Sequence, residues 1–207
     1  MQFWSCQFLR ILHCRVTAQG SPPANGILVS NHLSYVDVLV FGSLQPLVLV
    51  SKSEVRSWPV LGPLTRCAGT LYIRRQSRTD VGRLADDLVS VVKAGVVVAI
   101  FPEGTSSDGS GVLPFRSSLL GPAAENGWPV TPAWVRYELP GGSVADEVCY
   151  WRDMTFFPHL LNLLSKDGFQ AFVRFGAPPE RKMDRKEMAR ELQARVCNLK
   201  DAGIKPN

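Results

Sequence analysis

With only 3 histidines and 5 cysteines in 207 residues, the chain is poor in the residues that build metal centres and disulfide frameworks. Cys6, Cys14, Cys67, Cys149 and Cys197 are widely spaced, odd in number and contain no Cys-x-x-Cys pair. Neither paired bridges nor a zinc site follows from that spacing, so no metal is expected and a reducing compartment is the simpler setting. Apolar runs are short, residues 96–101 being typical, where a spanning helix needs about 20. The chain shows no small-residue cleavage site of a signal peptide, no internal repeat and no low-complexity stretch. It also has no Gly-x-Ser-x-Gly elbow of the serine-hydrolase kind.

Acidic residues are the minority, 18 against 23 lysines and arginines, for a net charge of +5. Cations gather at Arg74, Arg75 and Arg78 and again at Arg181, Lys182, Arg185 and Lys186. Such a balance favours anionic partners. Zinc-finger spacing, an RNA-recognition signature and a basic helix with interleaved aromatics are all missing, so nucleic acid is not expected. Anionic lipid headgroups, coenzyme A phosphates or an acidic carrier protein suit the charge instead.

Strand-like runs recur at residues 27–30, 47–50, 70–73, 96–101, 130–135 and 171–175, each bounded by Gly, Pro or polar residues. Between them, residues 80–93 carry Val81, Leu84, Leu88, Val91 and Val92 on one helical face, with Gly95 as a stop. Alternation of strand and helix predicts an α/β fold: a mostly parallel or mixed central sheet flanked by helices. Asp184 and Glu187 have the spacing of a capping box ahead of Met188, Leu192, Val196 and Leu199, which predicts a C-terminal helix within residues 181–207 packed on the main body. Residues 156–164 read as a short apolar helix and residues 140–146 as a loop. At the other end Met1, Trp4, Phe8, Ile11 and Leu12 fall near helical spacing, interrupted by Arg10 and Arg15. Residues 1–19 are therefore expected to form an amphipathic helix lying at a membrane interface or covering the core. The main domain is residues 20–180.

Chemistry concentrates in two short segments. Ser30-Asn31-His32-Leu33-Ser34-Tyr35-Val36-Asp37 stands where the first buried strand hands over to a helix. Five residues apart on a regular helix, an imidazole and a carboxylate would diverge around the axis, so His32 and Asp37 meet only if His32 lies at or before the first turn. If they meet, Asp37 orients the ring and stabilises the imidazolium while the other ring nitrogen takes a proton from an attacking hydroxyl. Phe101-Pro102-Glu103-Gly104-Thr105-Ser106-Ser107 leaves the end of another strand, the end where open α/β sheets bind ligands. There Glu103 can accept from a polyol, Gly104 permits close approach, and the hydroxyls of Thr105 and Ser106 can meet an anion. Seen singly, the first pair is a common coincidence and the second is an ordinary turn.

Together with Gly69-Thr70-Leu71-Tyr72-Ile73-Arg74-Arg75 and Pro129-Val130-Thr131-Pro132, these segments resemble the four ordered blocks of the glycerophospholipid acyltransferases, typified by the 1-acylglycerol-3-phosphate acyltransferases. The likeness runs from about Gly20 to about Pro178. It implies a glycerol-3-phosphate acyltransferase-like fold and a direct acyl transfer, from acyl carrier protein or coenzyme A thioester to a lysolipid hydroxyl. By position, it makes His32 the catalytic base and Asp37 its partner. It also assigns Asn31, Gly69, Arg75, Glu103, Gly104, Thr105 and Ser106 to substrate binding, with Arg75 on the acceptor phosphate. No cofactor is implied beyond the thioester co-substrate.

The implied acceptor is 1-acyl-sn-glycerol-3-phosphate, giving phosphatidic acid in phospholipid synthesis. One departure counts against it: where the family usually has an arginine two residues after the block's glycine, this chain has Ser106. The lyso-ornithine lipid acyltransferases, which the continuation Ser107-Asp108-Gly109 resembles, are the alternative. The family's hydrophobic helices ahead of the His block are represented here by about twenty residues before Gly20. Either further hydrophobic helices lie ahead of this sequence, or contact with the membrane, expected at its cytoplasmic face as a peripheral or monotopic protein, falls to the Met1–Leu12 helix alone. Trp128 and Trp134 are candidates for the acyl channel or for plain core packing. A thioesterase or lipase sharing the same base, or a non-catalytic lipid-binding module, would differ in consuming the donor without acceptor, or not at all.

Overall fold

Strands β2 (Ile27–Ser30) and β5 (Val97–Ile100) are buried along their whole length and share their side chains between two cores. Leu28, Val97 and Ala99 enter one, while Ile27, Val29, Val98 and Ile100 enter the other. This explains their unbroken apolar sequences: a strand covered on both faces has no reason to alternate with polar residues. In the computed structural model the described residues are 1–57, 62, 65, 70–73 and 78–202.

Seven strands form one mixed sheet in the order β1-β7-β6-β2-β5-β3-β4. The remaining strands are β1 (Cys14–Gln19), β3 (Leu47–Lys52), β4 (Leu71–Ile73), β6 (Val130–Glu138) and β7 (Phe169–Phe175). The five from β6 to β4 run parallel, and β1 and β7, parallel to each other, oppose them. On one face lie α1 (Gln2–Ile11) and α2 (Val36–Leu44), over the core that holds Leu28. The other face is covered by α3 (Arg78–Lys93), α4 (Gly121–Asn126) and α7 (Arg185–Asp201), which supply Leu88, Ala123 and Leu192. Helices α5 (Val144–Glu147) and α6 (Phe156–Leu164) belong to the long connection between β6 and β7.

The chain leaves β2 towards β3 through α2 and returns from β5 across β2 to β6 through α4, on the opposite face. Adjacent parallel strands whose connections part in this way open a crevice at their carboxyl ends. His32 follows β2 and Glu103 follows β5, so both predicted segments border that crevice.

The expected strands all form, and α6 has the predicted bounds. Asp184 caps α7 by accepting from the backbone N–H groups of Lys186 and Glu187. Two readings are corrected. Residues 1–19 are not one helix: α1 stops at Ile11, His13 takes a left-handed conformation (φ 51°), and Cys14–Gln19 is an edge strand paired with β7. Alternation of Cys14, Val16 and Ala18 with Arg15, Thr17 and Gln19 was the signal for it, muted because only Cys14 is fully buried. The loop assigned to residues 140–146 also contains the start of α5, capped by Ser143. Trp134 is buried in the core that α7 covers, and the half-buried Trp128 packs against that core.

Candidate active site

His32 sits four residues before the first residue of α2, which lets its ring fold back over the helix start. Its Nδ1 lies 2.7 Å from Asp37 Oδ2, meeting the geometric demand set by the five-residue spacing. Asp37 is fully buried in the first turn of α2, where the helix N-terminus favours a negative charge. Its Oδ2 also accepts from the backbone N–H groups of Leu33 (2.7 Å) and Ser34 (3.1 Å), and its Oδ1 accepts from the Tyr137 hydroxyl (2.6 Å).

These contacts decide the tautomer. Every neighbour of the Asp37 carboxyl is a donor, so the carboxylate is the acceptor throughout and the proton of a neutral His32 resides on Nδ1. Nε2 then carries the lone pair, and among the described residues it has no hydrogen-bond partner. The ring is held flat against Phe101, with centroids 4.2 Å apart and planes 18° from parallel. Its side chain retains 22% exposure, so an oriented base faces a region open to a substrate.

Tyr137 has no precedent in the motifs read from the sequence. It stands near the carboxyl end of β6, a hundred positions from Asp37, and only the parallel pairing of β6 with β2 brings it near. Burial pushes its hydroxyl well above the ordinary tyrosine range, and the adjacent Asp37 carboxylate adds to the shift, so it remains a neutral donor. Its buried place on a strand end was the available signal, and one shared with ordinary core tyrosines.

Two predicted binding residues face inward. Asn31 is buried, with its carboxamide donating to Val135 O and accepting from Val135 N, both at 2.9 Å. It ties the β2 exit to β6 and does not join the substrate-facing residues. Glu103 is 2% exposed; its Oε2 accepts from the His32 backbone N–H at 3.1 Å and its Oε1 from that of Leu113 at 2.9 Å. The carboxylate expected to meet a polyol is spent on holding the His32 loop, because the parallel neighbours β2 and β5 bring that backbone within its reach.

Gly104 is buried with φ 75° and makes the turn after Glu103. Thr105 is exposed, whereas Ser106 donates its hydroxyl to Tyr150 O. Ser107 N–H in turn donates to His32 O at 3.0 Å, and Tyr150 N–H to Leu33 O at 2.8 Å. The segment around Tyr150 is thus strapped to both loops of the crevice. Gly69 and Arg75 lie outside the described residues. Ser34 is fully buried, which removes it as a nucleophile.

Burial pushes the Glu103 carboxyl up to about 7, against the downward pull of its two backbone donors. A carboxyl whose pKa is raised on folding keeps a proton that the unfolded chain has lost, so the stability it lends is present in acid and is lost as pH rises through about 7. Compared with Glu103→Gln, the wild-type melting temperature is expected to fall between pH 5 and pH 8, by the equivalent of about 1 to 3 kcal/mol. Parallel melting curves for the two proteins check this, and a constant difference across that range would contradict it.

A second polar cluster braces the same helix start. His159, buried on α6, points Nε2 at Cys149 O (3.0 Å), so that nitrogen carries the proton and Nδ1 accepts from the Tyr35 hydroxyl (2.9 Å). Burial holds His159 below the usual histidine range, in keeping with a neutral structural ring. Both ring nitrogens are satisfied by these two contacts, so the ring needs no acidic partner.

The Acyltransferase family model matches residues 13–136, more than half of the chain. Among characterised proteins the chain is 32% identical over 188 residues to the lyso-ornithine lipid O-acyltransferase of Rhizobium meliloti, covering 84% of this chain and 64% of that enzyme. It is 36% identical over 138 residues to the 1-acyl-sn-glycerol-3-phosphate acyltransferase of Neisseria gonorrhoeae, covering 62% and 54%. The chain therefore spans less than two thirds of either relative's length. The crystal structure of the 1-acyl-sn-glycerophosphate acyltransferase of Thermotoga maritima superposes with a TM-score of 0.69 at 21% identity, over 99% of this chain and 80% of that one, which shows a shared fold. With the family's match spanning both the His32 and Glu103 segments, the chain belongs to the acyltransferase family.

Proposed function

We propose that this chain moves a fatty acyl group from a thioester, carried by acyl carrier protein or coenzyme A, to the free hydroxyl of a lysolipid at a membrane surface. The observation that carries the reading is the lone pair on His32 Nε2, held outward by a buried carboxylate with four donors. In the reaction Nε2 takes the acceptor's hydroxyl proton as its oxygen attacks the thioester carbonyl. Collapse of the tetrahedral intermediate breaks the C–S bond, and the imidazolium returns the proton to the departing thiolate. Asp37 keeps the ring oriented and stabilises its charged form. The buried Ser34 supports a direct transfer with no acyl-enzyme, and the scheme calls for no metal or organic cofactor.

Two acceptors fit. Lyso-ornithine lipid is favoured by Ser106 in place of an arginine, its hydroxyl spent on Tyr150 O, and by the Rhizobium meliloti relative. 1-Acyl-sn-glycerol-3-phosphate is favoured by the Neisseria gonorrhoeae relative, with Arg75 as the phosphate ligand. The membrane role assigned to the N-terminal segment now rests on α1, which exposes Phe3, Trp4 and Ile11, at the cytoplasmic face where thioester donors are made. Among the described residues no helix is long and apolar enough to cross a membrane.

Incubation with a panel of lysolipids, scored by product mass, tests the assignment. One acceptor is expected to yield a product heavier by one acyl chain, with thiol released in equal amount. Thiol release without any acceptor would favour a hydrolase, and no release with any acceptor would favour a binding module.

A further inference from the structure

Among residues 1–57 and 86–202, every large apolar side chain that is strongly exposed belongs to one of two helices. Phe3, Trp4 and Ile11 stand on α1, and Phe157, Leu161 and Leu164 on α6. The two helices are 145 positions apart in sequence, from Ile11 to Phe156. In the fold they share one layer: Leu9 of α1 and Leu163 of α6 enter the same core, on the face that also carries α2. The opposite face, under α4, α7 and the part of α3 from Asp86 onward, exposes no such side chain among those residues.

The α6 sequence, Phe-Phe-Pro-His-Leu-Leu-Asn-Leu-Leu, holds no Asp, Glu, Lys or Arg. Its exposed members fall at i, i+4 and i+7, one stripe of a helix whose inner side is fixed by His159 and Leu163. Solvated helices rarely leave such a stripe bare, and a patch of this kind marks a contact surface.

Between the two helix ends lies a groove of about 750 Å³, bordered by Arg10, His13 and Arg15 on the α1 side and by Ser165, Lys166 and Asp167 beyond α6. Lys166 is paired with Glu147, and Arg10 and Arg15 outnumber Asp167 among the remaining charges, a basic surplus at the rim. With a net charge of +5, an apolar pair of helices edged by arginines complements an anionic bilayer surface.

We infer that α1 and α6 form one composite membrane-docking face, with α6 seating the crevice mouth against anionic lipid. This rests on the proposed lysolipid substrate and extends the interfacial role from α1 to a helix the sequence did not implicate. The link to the site is direct. Phe156 of α6 packs its ring 5.1 Å from Tyr35, and His159 bonds the same tyrosine, two residues before Asp37. Helix α6 is therefore in direct contact with the segment that carries His32 and Asp37.

The test uses the full chain and vesicles of phosphatidylglycerol mixed with phosphatidylcholine, with phosphatidylcholine alone as the uncharged comparison. Replacing Leu161 and Leu164 by Glu is expected to lower co-sedimentation with the anionic vesicles by about tenfold, as is Trp4→Glu alone. Turnover of acceptor presented in detergent micelles is expected to stay within about twofold of wild type, and turnover of vesicle-embedded acceptor to fall with binding.

Leu161→Trp in a Trp4→Phe background supplies a readout that needs no loss of function, since its emission, taken as the difference from Trp4→Phe alone, is expected to shift to the blue on adding anionic vesicles. Unshifted emission, or wild-type vesicle binding by the Glu pair, would overturn the inference. So would a dimer seen by sedimentation velocity that the Glu pair dissociates, since a second copy would then own the stripe. None of the binding readouts requires catalysis, so failure of the acyl-transfer reading would appear separately, as vesicle binding with no product.

Discussion

His32→Ala is expected to cut the rate of thiol release in the presence of lysolipid by about a thousandfold or more, within the 10²–10⁴ that a positioned general base supplies. Among the described residues at the β2 and β5 exits the ring is the group with a basic nitrogen left without a partner, and an alkyl side chain cannot take up a proton. The fold should persist, because His32 is partly exposed and its backbone N–H still donates to Glu103. The loss of one donor to Asp37 and of the stack on Phe101 is expected to lower stability by about 1 kcal/mol. Stopped assays for free thiol, with circular dichroism to confirm folding, check both statements. Activity within tenfold of wild type would remove His32 as the base.

Asp37→Asn is expected to be almost as damaging to turnover and worse for stability. An amide has one oxygen where the carboxylate has two, and its NH₂ group presents a donor to neighbours that are themselves donors. His32 Nδ1–H, Leu33 N–H, Ser34 N–H and the Tyr137 hydroxyl all compete for that oxygen, and the ring is free to adopt the other tautomer. Turnover should fall by about a thousandfold with little change in KM, because the acceptor does not touch the buried side chain. Stability should fall by about 1 to 3 kcal/mol, the cost of a buried polar group left without its partner. Kinetics and thermal melts on the one variant separate the two effects.

These expectations depend on features that differ in how far they could be read in advance. The His32–Asp37 pair is local: five residues and a helix start determine it, so the spacing alone posed the right geometric question. The same holds for the Asp184 cap on α7 and for the buried strands β2 and β5, whose patterns are short-range. Tyr137 and Asn31 are of another kind. Their partners lie a hundred or more positions away, and only the β2–β6 register brings them together.

Glu103 shows the complementary failure. Its place after β5 was legible, but the direction of its side chain was not inferable, and the structure turns it inward onto the His32 backbone. Edge strand β1 was missed because a strand solvated on most of its length leaves a weak alternation. The stripe on α6 was read as a short apolar helix, and only the fold shows which of its residues stay outside.

Nitrogen-15 NMR of the His32 imidazole, at a pH where the ring is neutral, bears most directly on the oriented base. The account predicts a proton on Nδ1 and a bare Nε2, with that preference lost in Asp37→Asn. A neutral ring protonated on Nε2, or one indifferent to the Asp37 substitution, would contradict it.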